Sequence, residues 1–84
     1  MNDDKTTFPI YRKYSGINVW FKIIAADEFL EVRQVGANLI STRVNTGQHP
    51  ERVLIRDMIV CHEGRWEEVD ASEVEEKLRN AKSN

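Results

Sequence analysis

Asn18-Val19-Trp20-Phe21-Lys22-Ile23-Ile24-Ala25-Ala26-Asp27-Glu28-Phe29 is the stretch on which the fold of this 84-residue chain turns. Its first half has the two-residue period of a strand. Ile17, Val19, Phe21 and Ile23 share one wholly apolar face, which must be core; Asn18, Trp20, Lys22 and Ile24 share the other, which is mixed. Its second half reads as a helix start. Asp27 suits an N-cap and Glu28 the first turn, and Phe29, Val32 and Val35 fall within an arc of about 120°. Gly36 then serves as the stop. The competing strand reading, with Leu30 and Val32 alternating, fails at Gln34-Val35, so a helix is expected over 27–35.

A similar joint recurs in Arg65-Trp66-Glu67-Glu68-Val69-Asp70-Ala71-Ser72-Glu73-Val74. Here the helix is better specified. Asp70 and Glu73 have capping-box spacing, and Val69 and Val74 the spacing of a hydrophobic staple. Ala71, Val74, Leu78 and Ala81 form one narrow apolar stripe, with acids at the start and Lys77, Arg79 and Lys82 at the end, as the helix dipole favours. Trp20 and Ile24 share a strand face whereas Trp66 and Val69 do not, so the two joints are not a duplication in register.

Before the first joint, Phe8–Tyr14 reads as a first strand with Ser15-Gly16 as its turn. Asn38–Val44 reads as a strand with Ile40, Thr42 and Val44 on one face, and 45–50 as a loop. Arg52–Cys61 reads as a strand from its β-branched content, with a bulge at Arg56-Asp57. His62-Glu63-Gly64 then turns it into a hairpin with Arg65–Val69. The expected class is α+β: one antiparallel sheet of about five strands, in the order β-β-α-β-β-β-α, with helices on one face. The expected domain spans 8–82 behind a polar tail over 1–7.

Composition narrows the function. A chain this short buries roughly 60–65% of its unfolded surface, enough for one core. The net charge of −2 exerts no general pull on nucleic acid or membrane. Cys61 is the only cysteine, so a reducing, cytoplasmic setting is expected; no secretory leader and no membrane span is read.

Cys61-His62-Glu63 contains the parts of a nucleophilic site, but strand neighbours point apart, and Cys61 is expected as a small buried apolar residue. Adding His49 gives no zinc spacing. The four glycines, Gly16, Gly36, Gly47 and Gly64, form no phosphate loop, and the carboxylate pairs have solvated or capping roles. No enzyme activity, cofactor or metal is expected.

Tyr11, Arg12, Lys13, Tyr14, Trp20 and Lys22 interleave aromatics with cations and are the candidate interaction surface. The expected function is a non-catalytic protein-interaction module, its partner another protein or a second copy of the chain. The alternative is a single-stranded nucleic-acid-binding sheet built on Tyr11–Tyr14. Five cations balanced by five acids over the first 42 residues weigh against nucleic acid. Burial is expected for Trp20. Residues 66–84, at a net −3, suit either a solvated helix or a basic partner.

Overall fold

The computed structural model describes residues 7–45 and 49–83, without the side chains of 49–53. Strands β1 (Ile10–Tyr14), β2 (Val19–Ala25), β3 (Glu28–Val35) and β4 (Asn38–Asn45) run consecutively as an antiparallel meander. Helix α1 (His49–Ile59) follows, then a 3₁₀ turn at His62–Gly64, strand β5 (Trp66–Glu68), helix α2 (Ala71–Asn80) and a two-residue strand, β6 (Lys82–Ser83). The sheet order is β5-β1-β2-β3-β4-β6, and β6 joins β4 in parallel.

This corrects the expected five-stranded antiparallel sheet with helices on one face. Among the described residues there are six strands, the sheet is mixed, and the helices lie on opposite faces. Strand periodicity establishes the last point. Phe21 and Ile23 cluster with Ile55 and Met58 of α1. Their neighbours on β2, Trp20 and Lys22, bond to Glu73 and Glu75 of α2. Adjacent strand residues point to opposite sides, so α1 and α2 sandwich the sheet.

Two element assignments change with it. Residues 28–35 are strand β3, not helix. Phe29 is buried on the α1 side and Val32 on the α2 side, because both faces are covered. A strand covered twice carries apolar residues at both parities, which erases the alternation that identifies strands. The two-residue Ala26-Asp27 connection and an extra residue at Ile24 complete the β2–β3 hairpin. Gly36, at φ 62°, opens the two-residue β3–β4 turn as a type II′ turn requires.

Residues 52–61 are not a strand either. Leu54, Ile55, Met58 and Ile59 stand at i, i+1, i+4 and i+5, a helical stripe, and Ile55 and Met58 are buried. What looked like a bulge at Arg56-Asp57 is the outer side of α1. β5 therefore has no hairpin partner in 52–61 and pairs with β1 instead, through Arg12–Glu68, Lys13–Glu67 and Tyr14–Trp66. The expected tail falls outside the described residues except at Thr7, as do positions 46–48 of the expected loop; His49 and Pro50 belong to α1.

The main core is on the α1 side: Phe21, Ile23, Phe29, Ile55, Met58 and Trp66, with Tyr14 stacked on Trp66 at 5.4 Å and set edge-on to Phe21 at 5.3 Å. Among the described residues no helix is long and apolar enough to cross a membrane.

Candidate functional site

The structure divides the six candidate surface residues between the two faces. Arg12 and Tyr14 face α1; Tyr11, Lys13, Trp20 and Lys22 face α2. Each of the six has a partner within the chain.

Arg12 closes the C-terminal end of α1. Its Nε donates to the Met58 carbonyl at 3.0 Å, Nη2 to the Ile59 carbonyl at 2.7 Å and Nη1 to the Tyr11 carbonyl at 2.8 Å. The last carbonyls of a helix lack intrahelical donors and carry the negative end of its dipole, so a guanidinium is the matching group. Cys61 continues this end in the left-handed region at φ 53° and packs half-buried against the core. The imidazole and carboxylate of His62 and Glu63 are exposed and 3.6 Å apart, out on the 3₁₀ turn.

The α2 face is organised around Val74, which is fully buried. The residues on either side of it on the helix, Glu73 and Glu75, straddle the contact and reach down to the sheet. The Trp20 indole N–H donates to Glu73 at 2.8 Å, and Trp20 is 4% exposed. The Tyr11 hydroxyl donates to Glu75 at 2.6 Å, and the Lys22 ammonium meets the same oxygen at 2.6 Å. Lys77 lies 4.8 Å from the Trp20 ring centre and Lys13 5.9 Å, from α2 and from β1 respectively.

These contacts set the ionisation of the pair. Burial, and then the Glu75 carboxylate, push the Tyr11 hydroxyl up to about 12. Hydrogen bonds from Lys22 and Tyr11, with the charges of Lys22 and Arg79, hold the Glu75 carboxyl below its usual range.

Two features noted separately in the sequence thus answer each other: the aromatic-cationic strands and the acidic helix are donor and acceptor surfaces of one docking contact. Glu73, expected to close a capping box, goes to Trp20 instead, and Asp70 makes no side-chain cap bond among the described residues. The signal was the pair of acids flanking Val74, one residue on either side of the helix's buried position.

Free apolar surface lies elsewhere. Ile17 is 54% and Val35 50% exposed. The last ladder pair, Val19–Arg33, is extended by the Gln34 amide donating to the Asn18 carbonyl at 3.1 Å. Val35 ends β3, and Ile17 lies in the β1–β2 bend, where the Val19 amide donates back to the Ile17 carbonyl at 3.0 Å, so both stand at the hairpin end of the sheet. Val19 and Ile40 beneath them are half-buried.

Among the described residues no three of His, Cys, Asp and Glu are grouped so as to hold a metal ion. Compared with protein-family models, with curated proteins and with solved structures, the chain matches none.

Proposed function

We propose that this chain is a non-catalytic protein-interaction module that meets its partner at the hairpin end of the sheet. The observation that carries it is that two half-exposed aliphatic side chains, Ile17 and Val35, stand at the same end of the sheet. Val19, Phe21 and Ile23 lead along β2 toward this end, where half-buried Val19 and Ile40 flank Arg33. Single exposed aliphatics are ordinary, whereas two at one end of a sheet, near half-buried Val19 and Ile40, suit a contact site. The chemistry selects a protein partner that offers apolar side chains. The exposed guanidinium of Arg33, next to this group on β3, favours acids at that partner's rim. Cys61, a free and half-buried thiol, suits the reducing, cytoplasmic setting of this reading.

The test is a double variant, Ile17→Asp with Val35→Asp. We expect its thermal midpoint to stay close to the parent, because both side chains are already about half in water, and its capture of the partner in a pull-down to be lost. Trp20→Ala is the control and should lower the midpoint by removing a buried indole. Partner capture undiminished in the double variant would refute the proposal.

A further inference from the structure

We propose that α2 and β6 form an exchangeable strap, and that a second copy of this chain is the partner that receives it, the two copies trading straps to make a dimer. The inference uses the face opposite the Ile17–Val35 end and stands apart from that reading.

The strap starts at the β5 edge, crosses the sheet and ends as β6 beside β4 at the other edge. Along that path Val74 alone is fully buried; Leu78 and Ala81 are half-buried. The remaining hold is polar: Glu73 on Trp20, and Glu75 on Tyr11 and Lys22. At the far end β6 pairs with only Ile40 and Ser41, and both its residues are exposed. The α1 side, in contrast, is a continuous cluster of six buried side chains. Lifting the strap therefore disturbs the smaller of the two cores.

Only Val69 and Asp70 separate β5 from α2. Asp70 is already extended, at φ −62° and ψ 137°, and its side chain makes no cap bond that straightening would break. Short connections are the setting in which an element passes between copies at low cost. The face beneath the strap is complementary to one known object, the Glu73-Val74-Glu75 surface of this same helix. In trans every one of these contacts is restored, so the exchanged and closed forms differ only by association and by the hinge.

The hinge also sets the condition for exchange. Glu68, Asp70 and Glu73 line an open concavity around it. Pairing two copies brings two such acidic hinges together, which opposes dimerisation at low ionic strength. Salt relieves this, since the screening length falls from about 10 Å at 0.1 M to about 3 Å at 1 M.

The experiment uses the full chain with Cys61→Ser, Ser41→Cys and Ser83→Cys, the latter two positions being register partners across β4 and β6. Isotopically heavy and light chains are mixed in equal amounts, unfolded and refolded together at high protein concentration in 1 M salt, and oxidised. We expect a dimer by sedimentation, with about half of the disulfide-linked peptides between the two introduced thiols joining a heavy to a light chain. Inserting Gly-Ser-Gly-Ser after Asp70 should return the protein to monomer with same-isotope links only. A monomer under all these conditions overturns the proposal. So does a dimer whose links are all same-isotope, because it would be held by another surface.

Discussion

Arg12 shows what a single residue does in this fold. Beside Lys13 and between two tyrosines it resembles a ligand-binding cation, yet its guanidinium is spent on the open end of α1. A planar fork reaches the Met58 and Ile59 carbonyls together, which a lysine ammonium cannot do with the same geometry. Arg12→Ala should lower stability by about 2 kcal/mol, the scale of charge-assisted hydrogen bonds left unmade, and Arg12→Lys should recover only part of it. The urea midpoint of the two variants checks this. Trp20 is the other residue whose role depends on its surroundings. Its indole is buried and hydrogen-bonded, so in the closed molecule it anchors α2 and is not free to meet a partner.

The strands and helices differ in how openly the sequence displays them. β1, β2 and β4 were legible from turns and alternation, and α2 from its stripe and charge order. β3 was not, because Phe29 and Val32 are both buried but on opposite faces, and two interleaved apolar faces imitate a helical arc. α1 was hidden by composition: Val53, Ile55, Ile59 and Val60 have strand preference, while the spacing of Leu54, Ile55, Met58 and Ile59 is helical. β6 is two residues long and carries no pattern of its own. The α2 docking contact was visible only as separate halves, since nothing in a sequence says which acids meet which bases.

That contact also makes α2 sensitive to pH at both extremes. Glu75 titrates below its unfolded range, held there by Lys22 of β2, Tyr11 of β1 and Arg79 of α2. Its contribution is present above the ordinary carboxylate range and is lost as pH falls from that range through the lower value of the folded state. Tyr11 moves the other way: raised to about 12, its contribution is complete below pH 10 and disappears as pH climbs from 10 to 12. Stability measured by chemical denaturation should fall at both ends, and Glu75→Gln should flatten the acid limb and weaken the alkaline one.

At the scale of the molecule, one sheet is shared by two unequal cores. The α1 side packs Phe21, Ile23, Phe29, Ile55, Met58 and Trp66 together, and the α2 side rests on Val74, Val32, Trp20 and ion pairs. Local opening follows buried apolar contact. Amides of α2 and β6 should therefore exchange with solvent well before those of β2 and β3, as hydrogen exchange would show; equal protection of the two sets would contradict the asymmetry. The sheet edges follow the same division. β5 is three residues long and shows Glu67 and Glu68 to solvent, which discourages strand addition, whereas β6 covers only a short part of β4. Trp66 and Trp20 lie on opposite sides of this sheet. The Trp66 indole N–H is buried without a hydrogen-bond partner among the described residues, and the Trp20 N–H is bonded to a carboxylate beneath two ammonium groups. The molecule thus carries one tryptophan per core, in surroundings of opposite polarity. With Trp20→Phe or Trp66→Phe, the remaining emission reports on a single side, so the separation of the two layers can be followed by light without attaching a label.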